Sequence, residues 1–311
     1  MQAEHGITAI DTGFFRPRFD ASHLIVEGGR AAFVDVGTNH SVPRLLAALF
    51  AQGIAAAAVD YVILTHVHLD HAGGAGALLR ELPNAKLLVH PRGARHMADP
   101  SALVAGASAV YGEEEVLRSY GALVPVPAAR IVEAGEGHVV ELAGRALRCL
   151  DTPGHARHHI SIWDERSRAF FPGDTFGLSY REFDTARGAF ILPTTTPIQF
   201  EPDALRASIG RMLAYAPQAM YLTHYSRVVD VPRLAQDLLV QIDAMVRIAR
   251  ANAGAPDRHA RIAAALAELY LARAQAHGCA QDAATMRELL AMDIELNAQG
   301  LEVWLDRGGK G

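Results

Sequence analysis

Thr65-His66-Val67-His68-Leu69-Asp70-His71 follows directly on the apolar run Val59-Asp60-Tyr61-Val62-Ile63-Leu64. That run fits a buried strand. Ionisable side chains packed onto the end of a buried strand are costly unless something binds them. Alternation along an extended backbone puts His66 and His68 on one side, and Asp70 and His71 turn in behind them. Gly73-Gly74 then lets the backbone fold tightly as the next helix begins. Three imidazoles and one carboxylate within six residues make a ligand set suited to zinc, iron or manganese. A polar loop with incidental histidines is the competing reading, and the density of the cluster weighs against it.

Working outward, short strands are expected at Ile7–Ile10, His23–Glu27 and Ala31–Val36, the last two joined by a Gly28-Gly29 hairpin turn. Ser41 is placed to cap a helix running to Gln52, with Pro43 in its first turn and Gly53 just past its end. Downstream of the histidine run, the pattern gives a helix over Gly73–Leu82, a strand over Leu87–His90 and a helix over Pro91–Met97. Residues 100–128 read as helical and loop-rich. Hairpins follow, Val139–Leu142 with Ala146–Leu150, then Ile160–Trp163 with Ala169–Phe171. Residues 175–202 read as a long ordered loop, Asp203–Tyr215 as a helix and Ala219–Thr223 as a strand. From Val231 to Leu305 the chain changes to three Ala/Leu/Arg/Glu-rich helical stretches, broken at Ala253-Gly254-Ala255-Pro256 and His277-Gly278. Helices packed on sheets over 1–229, followed by an all-helical domain over 230–311, is the implied organisation.

The 311 residues are half hydrophobic, enough to bury a full core. Net charge is −5 with no basic block, so no nucleic-acid footprint is expected. Two distant cysteines, Cys149 and Cys279, make a disulfide framework unlikely and fit a reducing compartment. Residues 1–20 lack the apolar core of a signal peptide, and no stretch approaches the roughly 18 apolar residues of a membrane span. A cytoplasmic protein without membrane attachment is the expectation.

The histidine run resembles the His-x-His-x-Asp-His motif of the metallo-β-lactamase superfamily. The further segments of that pattern can be matched in order. Thr152-Pro153-Gly154-His155 resembles the second, Phe171-Pro172-Gly173-Asp174-Thr175 the third and Leu222-Thr223-His224 the fourth. Asp35-Val36-Gly37 resembles the family's Asp-x-Gly at an early strand end. The resemblance spans roughly residues 7–228. It implies an α/β fold, an αββα sandwich, with the C-terminal helices as an extension. It also implies two divalent metal ions, zinc first, with iron or manganese as alternatives. One site would take His66, His68 and His155; the other would take Asp70, His71 and His224; Asp174 would bridge them. A hydroxide shared by two metals could then attack a carbonyl, with Asp70 helping to move the proton.

Within the superfamily the chain looks most like uncharacterised glyoxalase II-like hydrolases of bacteria and archaea, in which Ala-Gly-Gly follows the first motif. One departure stands out. Where the glyoxalase II branch reads His-Thr-x-Gly-His, this chain has His155-Ala156-Arg157-His158-His159. His159 matches the last His of that segment, usually a buried residue behind the ligands. His158 replaces a glycine and is expected to line the pocket or the surface. Asp35 and Thr65 are expected to orient the ligands. Phe176, Tyr180, Arg181 and Tyr225, just after ligand segments, are candidates for substrate contact or for packing.

Hydrolysis of a small-molecule thioester or lactone is the leading expectation. A non-haem iron oxidoreductase such as a persulfide dioxygenase, and a binding or regulatory protein that kept the metal fold, are the alternatives. The helical tail is expected either to cap the cleft or to pair two copies into a homodimer. Export-dependent β-lactamases, nucleic-acid-cleaving branches and the tRNA-processing branch, which typically has Gly where Leu69 stands, are disfavoured.

Overall fold

The computed structural model describes residues 5–195 and 199–309. Among these, the strands form two six-stranded sheets. The first runs in spatial order β1 (Ile7–Asp11), β2 (Ala21–Glu27), β3 (Arg30–Val34), β4 (Val59–Ile63), β5 (Lys86–Val89), β6 (Ile131–Glu133). Its first three strands are antiparallel, and β3 to β6 are parallel. Parallel neighbours need crossovers, and helices supply them. Helix α1 (Val42–Ala51) joins β3 to β4, and α2 (Leu69–Ala72) and α3 (Ala75–Glu81) join β4 to β5. Between β5 and β6 lie α4 (Pro91–Ala98), α5 (Ser101–Tyr111) and α6 (Glu113–Tyr120).

The second sheet is β7 (Val139–Leu142), β8 (Arg145–Asp151), β9 (Ile160–Asp164), β10 (Ala169–Phe171), β11 (Ala219–Leu222) and β12 (Ser226–Val228), each beside the next. Strands β7 to β10 form an antiparallel meander, and β11 adds parallel to β10. Residues from both sheets share one core: Ile25, Val34, Ile63 and Leu88 from the first, Leu147, Cys149, Ile162 and Phe171 from the second. On its other face the first sheet packs Phe33, Val62 and Leu87 against Leu45, Leu49, Leu78 and Met97 of the helices. Both faces of the central strands are therefore buried, which is why β3 and β5 read as nearly continuous apolar runs after their first residue. Arg145 at the start of β8 is buried and pairs with the equally buried Asp164, while its Nη1 donates to the His5 carbonyl at 2.7 Å.

Two sequence expectations change in detail. Ser41 does not cap α1; its Oγ accepts from the Thr38 N–H at 3.1 Å, closing a single turn just before the helix. The third helical stretch of the tail is two helices, α10 (Ala283–Leu289) and α11 (Ala291–Asp306). They are broken at Leu290, which sits outside the regular helical conformation although neither Gly nor Pro is present there. The 100–128 stretch is helical over α5 and α6, as expected. The part of the 175–202 loop at 196–198 lies outside the described residues.

The chain divides into two compact units. One comprises Met1–Asp151, His158–Gly173 and Gln218–Arg227, and so holds the two sheets. The other comprises Thr152–Arg157, Asp174–Pro217 and Val228–Gly311. The second thus joins α7 (Pro202–Leu213) and the preceding loop to the tail helices α8 (Val231–Asn252), α9 (Arg258–His277), α10 and α11. The last division falls between Arg227 and Val228. Inside the second unit, Leu234, Leu238, Ile242 and Met245 recur at helical spacing on α8 and are buried with Ile262, Leu266 and Tyr270 of α9. No described helix is long and apolar enough to cross a membrane.

Candidate metal centre

In the first unit the site residues stand at the carboxyl ends of strands. Asp35 follows β3, Thr65-His66 follows β4, and Thr223-His224 follows β11. Asp35 is 1% exposed and holds φ at +50°, a left-handed conformation that costs a non-glycine residue about 1 kcal/mol or more. Its carboxylate accepts from the Thr65 N–H at 2.8 Å, the Thr65 hydroxyl at 2.8 Å, the Thr223 hydroxyl at 2.8 Å and His71 Nδ1 at 2.7 Å. One buried acceptor therefore fixes the ends of β4 and β11 and the ring of His71.

The imidazoles are oriented from behind. His71 Nδ1 is held by Asp35, His224 Nδ1 by the Phe19 carbonyl at 3.0 Å and His66 Nδ1 by the Thr65 hydroxyl at 3.1 Å. In each ring this leaves Nε2 as the nitrogen turned toward a metal that the cluster could hold. Asp70, His71 and His224 each offer a donor atom within 4.8 Å of the others. Asp70 Oδ2 lies 3.7 Å from His71 Nε2 and 3.4 Å from His224 Nε2. Donors about 2.1 Å from a tetrahedral ion stand about 3.4 Å apart, so this triad has the spacing of one coordination sphere. His66 Nε2 and His68 Nδ1 are closer, at 2.7 Å, a hydrogen bond whose proton a metal would displace.

The second unit presents a matching pair. His155 Nε2 lies 3.3 Å from Asp174 Oδ2, again one coordination edge, and both side chains are buried. His155 Nδ1 faces the Thr194 carbonyl at 3.3 Å. Gly154, with φ at +133°, lets the strand-end turn pass the backbone of Leu205, which an added Cβ would meet at 2.3 Å. The donor set of both units fits divalent metal.

The remaining candidates are placed as follows. His159 is fully buried, its ring stacked on His66 at 4.9 Å. His158 is buried as well, stacked on His66 at 6.2 Å and edge-on to His68 at 5.5 Å, so it is no surface residue. Phe176 is in the core, and the buried Tyr180 hydroxyl donates to Asp293 at 3.1 Å. Arg181 folds back on the Ser179 carbonyl, with Nη2 at 2.6 Å. Tyr225 is half-buried beside His224 in sequence.

Three residues at the site were not singled out from sequence. Thr223 could have been, because Leu222-Thr223-His224 repeats Leu64-Thr65-His66 and both threonines donate to Asp35. Phe19 and Asp20 carried no such signal. The Phe19 ring lies 5.3 Å from that of His224. Burial pushes the Asp20 carboxyl up to about 7, against the opposing pull of His224 and His71.

Residues 16–224 match the family model described as the metallo-beta-lactamase superfamily. A metallo-beta-lactamase fold-containing protein of Sulfurisphaera tokodaii is 27% identical over 188 residues, 59% of this chain and 66% of that protein. A hydroxyacylglutathione hydrolase of Synechococcus is 32% identical over 149 residues, 47% of this chain and 43% of the relative. The chain thus spans from about two fifths to just under two thirds of the length of these curated relatives. In solved structures, an archaeal metallo-beta-lactamase superfamily protein from Sulfolobus tokodaii superimposes with a TM-score of 0.66 at 22% identity, covering 96% of this chain and 98% of that one. A metallo-beta-lactamase family protein from Thermus thermophilus gives 0.63 at 21%, covering 92% and 93%. These likenesses carry the fold, the αββα sandwich with its helical extension. Two facing sheets, strand ends bearing the motif residues in the family's order, and the match over 16–224 place this chain in the metallo-beta-lactamase superfamily.

Proposed function

We propose that this chain is a metal-dependent hydrolase of small organic molecules that cleaves an ester-like bond, with thioesters and lactones first among its substrates. The proposal gives His66, His68 and His155 to one metal, Asp70, His71 and His224 to a second, and Asp174 to both. The observation that carries it is the Asp70, His71 and His224 triad, with its far nitrogens held and its donors one coordination edge apart. Zinc suits this mixture of imidazole and carboxylate, and iron and manganese are accepted by it too.

Metals so held would lower the pKa of a shared water and polarise a substrate carbonyl. The protein's own part is to fix donors and pass a proton. Asp35 and the Phe19 carbonyl keep His71 and His224 in one tautomer. Asp70 is the triad member with most solvent access, its side chain 24% exposed, and is the group suited to pass a proton outward. The hydroxyacylglutathione hydrolases among the relatives, at about 30% identity, support the thioester reading.

The test is a purified chain reconstituted with zinc, iron or manganese, its metal content measured, and a panel of thioesters, lactones, esters and phosphodiesters. Turnover of a thioester or lactone, lost in His66→Ala together with metal, is expected. Full metal loading with no hydrolysis of any class would sink the proposal. Oxygen uptake with a persulfide would replace it with iron redox chemistry.

A further inference from the structure

We infer that Asn297, on tail helix α11, is a positioning residue for His155, acting through the carbonyl of Thr194. All the groups involved lie in the second unit. The inference rests on the proposed role of His155 as a metal ligand.

Asn297 is 1% exposed. Its Oδ1 accepts the Thr195 N–H at 2.6 Å. Its Nδ2 donates to the Pro193 carbonyl at 3.2 Å and to the Tyr270 hydroxyl at 2.8 Å. The backbone carbonyl of Asn297 accepts from the Thr195 hydroxyl at 3.4 Å. A carboxamide has one acceptor end and one donor end, and here both are used. Flipping it would set N–H against N–H at Thr195 and oxygen against oxygen at Pro193, so one orientation is imposed.

The two backbone groups it grips lie on either side of Thr194. That leaves the Thr194 carbonyl fixed, and this is the oxygen that His155 Nδ1 faces at 3.3 Å. A carbonyl only accepts, so the Thr194 oxygen holds a proton on Nδ1, and a metal ion would take Nε2, which stands 3.3 Å from Asp174 Oδ2. Tyr270 of α9 braces the amide, its own hydroxyl donating to Met245 of α8 at 3.6 Å. Asn297 of α11 thus holds the peptides on both sides of Thr194, with Tyr270 of α9 and then Met245 of α8 behind it. Gln241 of α8 offers a contrast. It is equally buried and holds the same loop by donating to the Ile191 carbonyl at 2.9 Å, but it does not flank Thr194.

The experiment uses the full chain and four variants: Asn297→Ala, Tyr270→Phe, Gln241→Leu and His155→Ala. Two readouts are taken, the His155 tautomer by nitrogen-15 imidazole NMR of zinc-loaded protein, and zinc affinity by competition with a chromophoric chelator. Wild type is expected to show His155 as the Nδ1–H form. Asn297→Ala should mix the tautomers and weaken zinc binding about 10- to 100-fold. Tyr270→Phe, which keeps its ring in the core, should shift both in the same direction by less; if Asn297→Ala does not fold, it decides the matter. Gln241→Leu should lower the unfolding midpoint and leave both readouts in place. An unchanged tautomer in Asn297→Ala, or an equal shift in Gln241→Leu, would overturn the inference. Unchanged zinc stoichiometry and affinity in His155→Ala would instead overturn the ligand assignment, and the tautomer readout would still judge the positioning.

Discussion

Asp35 gathers four donors from two strand ends and the His71 ring into one buried carboxylate. Asp35→Ala leaves the Thr65 N–H, two hydroxyls and His71 Nδ1 without that acceptor. Each unsatisfied buried group costs about 1–3 kcal/mol, so a loss of roughly 3 kcal/mol or more in urea unfolding is expected. Zinc affinity should fall about 10- to 100-fold, because His71 is no longer held in one tautomer. Another residue sets an acid limit. His23 of β2 is buried between the rings of Phe171 and Tyr221, and burial lowers its imidazole to about 4. A base whose folded pKa is depressed binds fewer protons folded than unfolded. Its stabilising share is therefore complete above about 6.5, the unfolded value, and is lost as pH falls from there to about 4. At 1.36 kcal/mol per unit, this amounts to about 3 kcal/mol. Chemical unfolding of His23→Phe and wild type at several pH values should show wild type losing about that amount relative to the variant as pH falls from 6.5 to 4. Parallel curves would show that His23 is not the group responsible.

At the scale of elements, the strands and most helices were legible because their periodicity is local. The second motif segment shows where locality ends. Gly154 reads as a turn glycine in sequence, but in the fold the backbone of α7 at Leu205 also lies where its Cβ would be. Gly154→Ala combines a positive φ with a backbone clash. A loss of about 3 kcal/mol or more is expected, measured as a shift in urea midpoint at constant slope. An alanine accepted for less than about 1 kcal/mol would mean that α7 can withdraw. The break at Leu290 between α10 and α11 was illegible for the opposite reason. No glycine or proline marks it, so propensity reads straight through.

For the molecule as a whole, the proposed function, with its seven ligand candidates from four distant segments, would make metal a folding partner as well. An ion that binds only the folded chain adds stability by mass action, about 4 kcal/mol at a free concentration of 1,000 Kd. Stripping with a chelator should lower the melting temperature by several degrees, and zinc should restore it. In His66→Ala, the chelator-dependent difference should shrink markedly. A melting temperature indifferent to chelator in the wild type would count against the ligand set.

Sequence alone determined the strand–motif–helix alternation, the order of the motif segments and the superfamily, because each motif is a few residues long and sits at the end of a strand whose pattern is local. The tertiary structure alone decided which buried groups hold the motif side chains. Thr223 reaches Asp35 across 188 residues, and Asn297 reaches Thr195 across 102. Such partners share no spacing rule. They become neighbours only when burial forces every polar group to find a mate, and that pairing is a property of the folded interior.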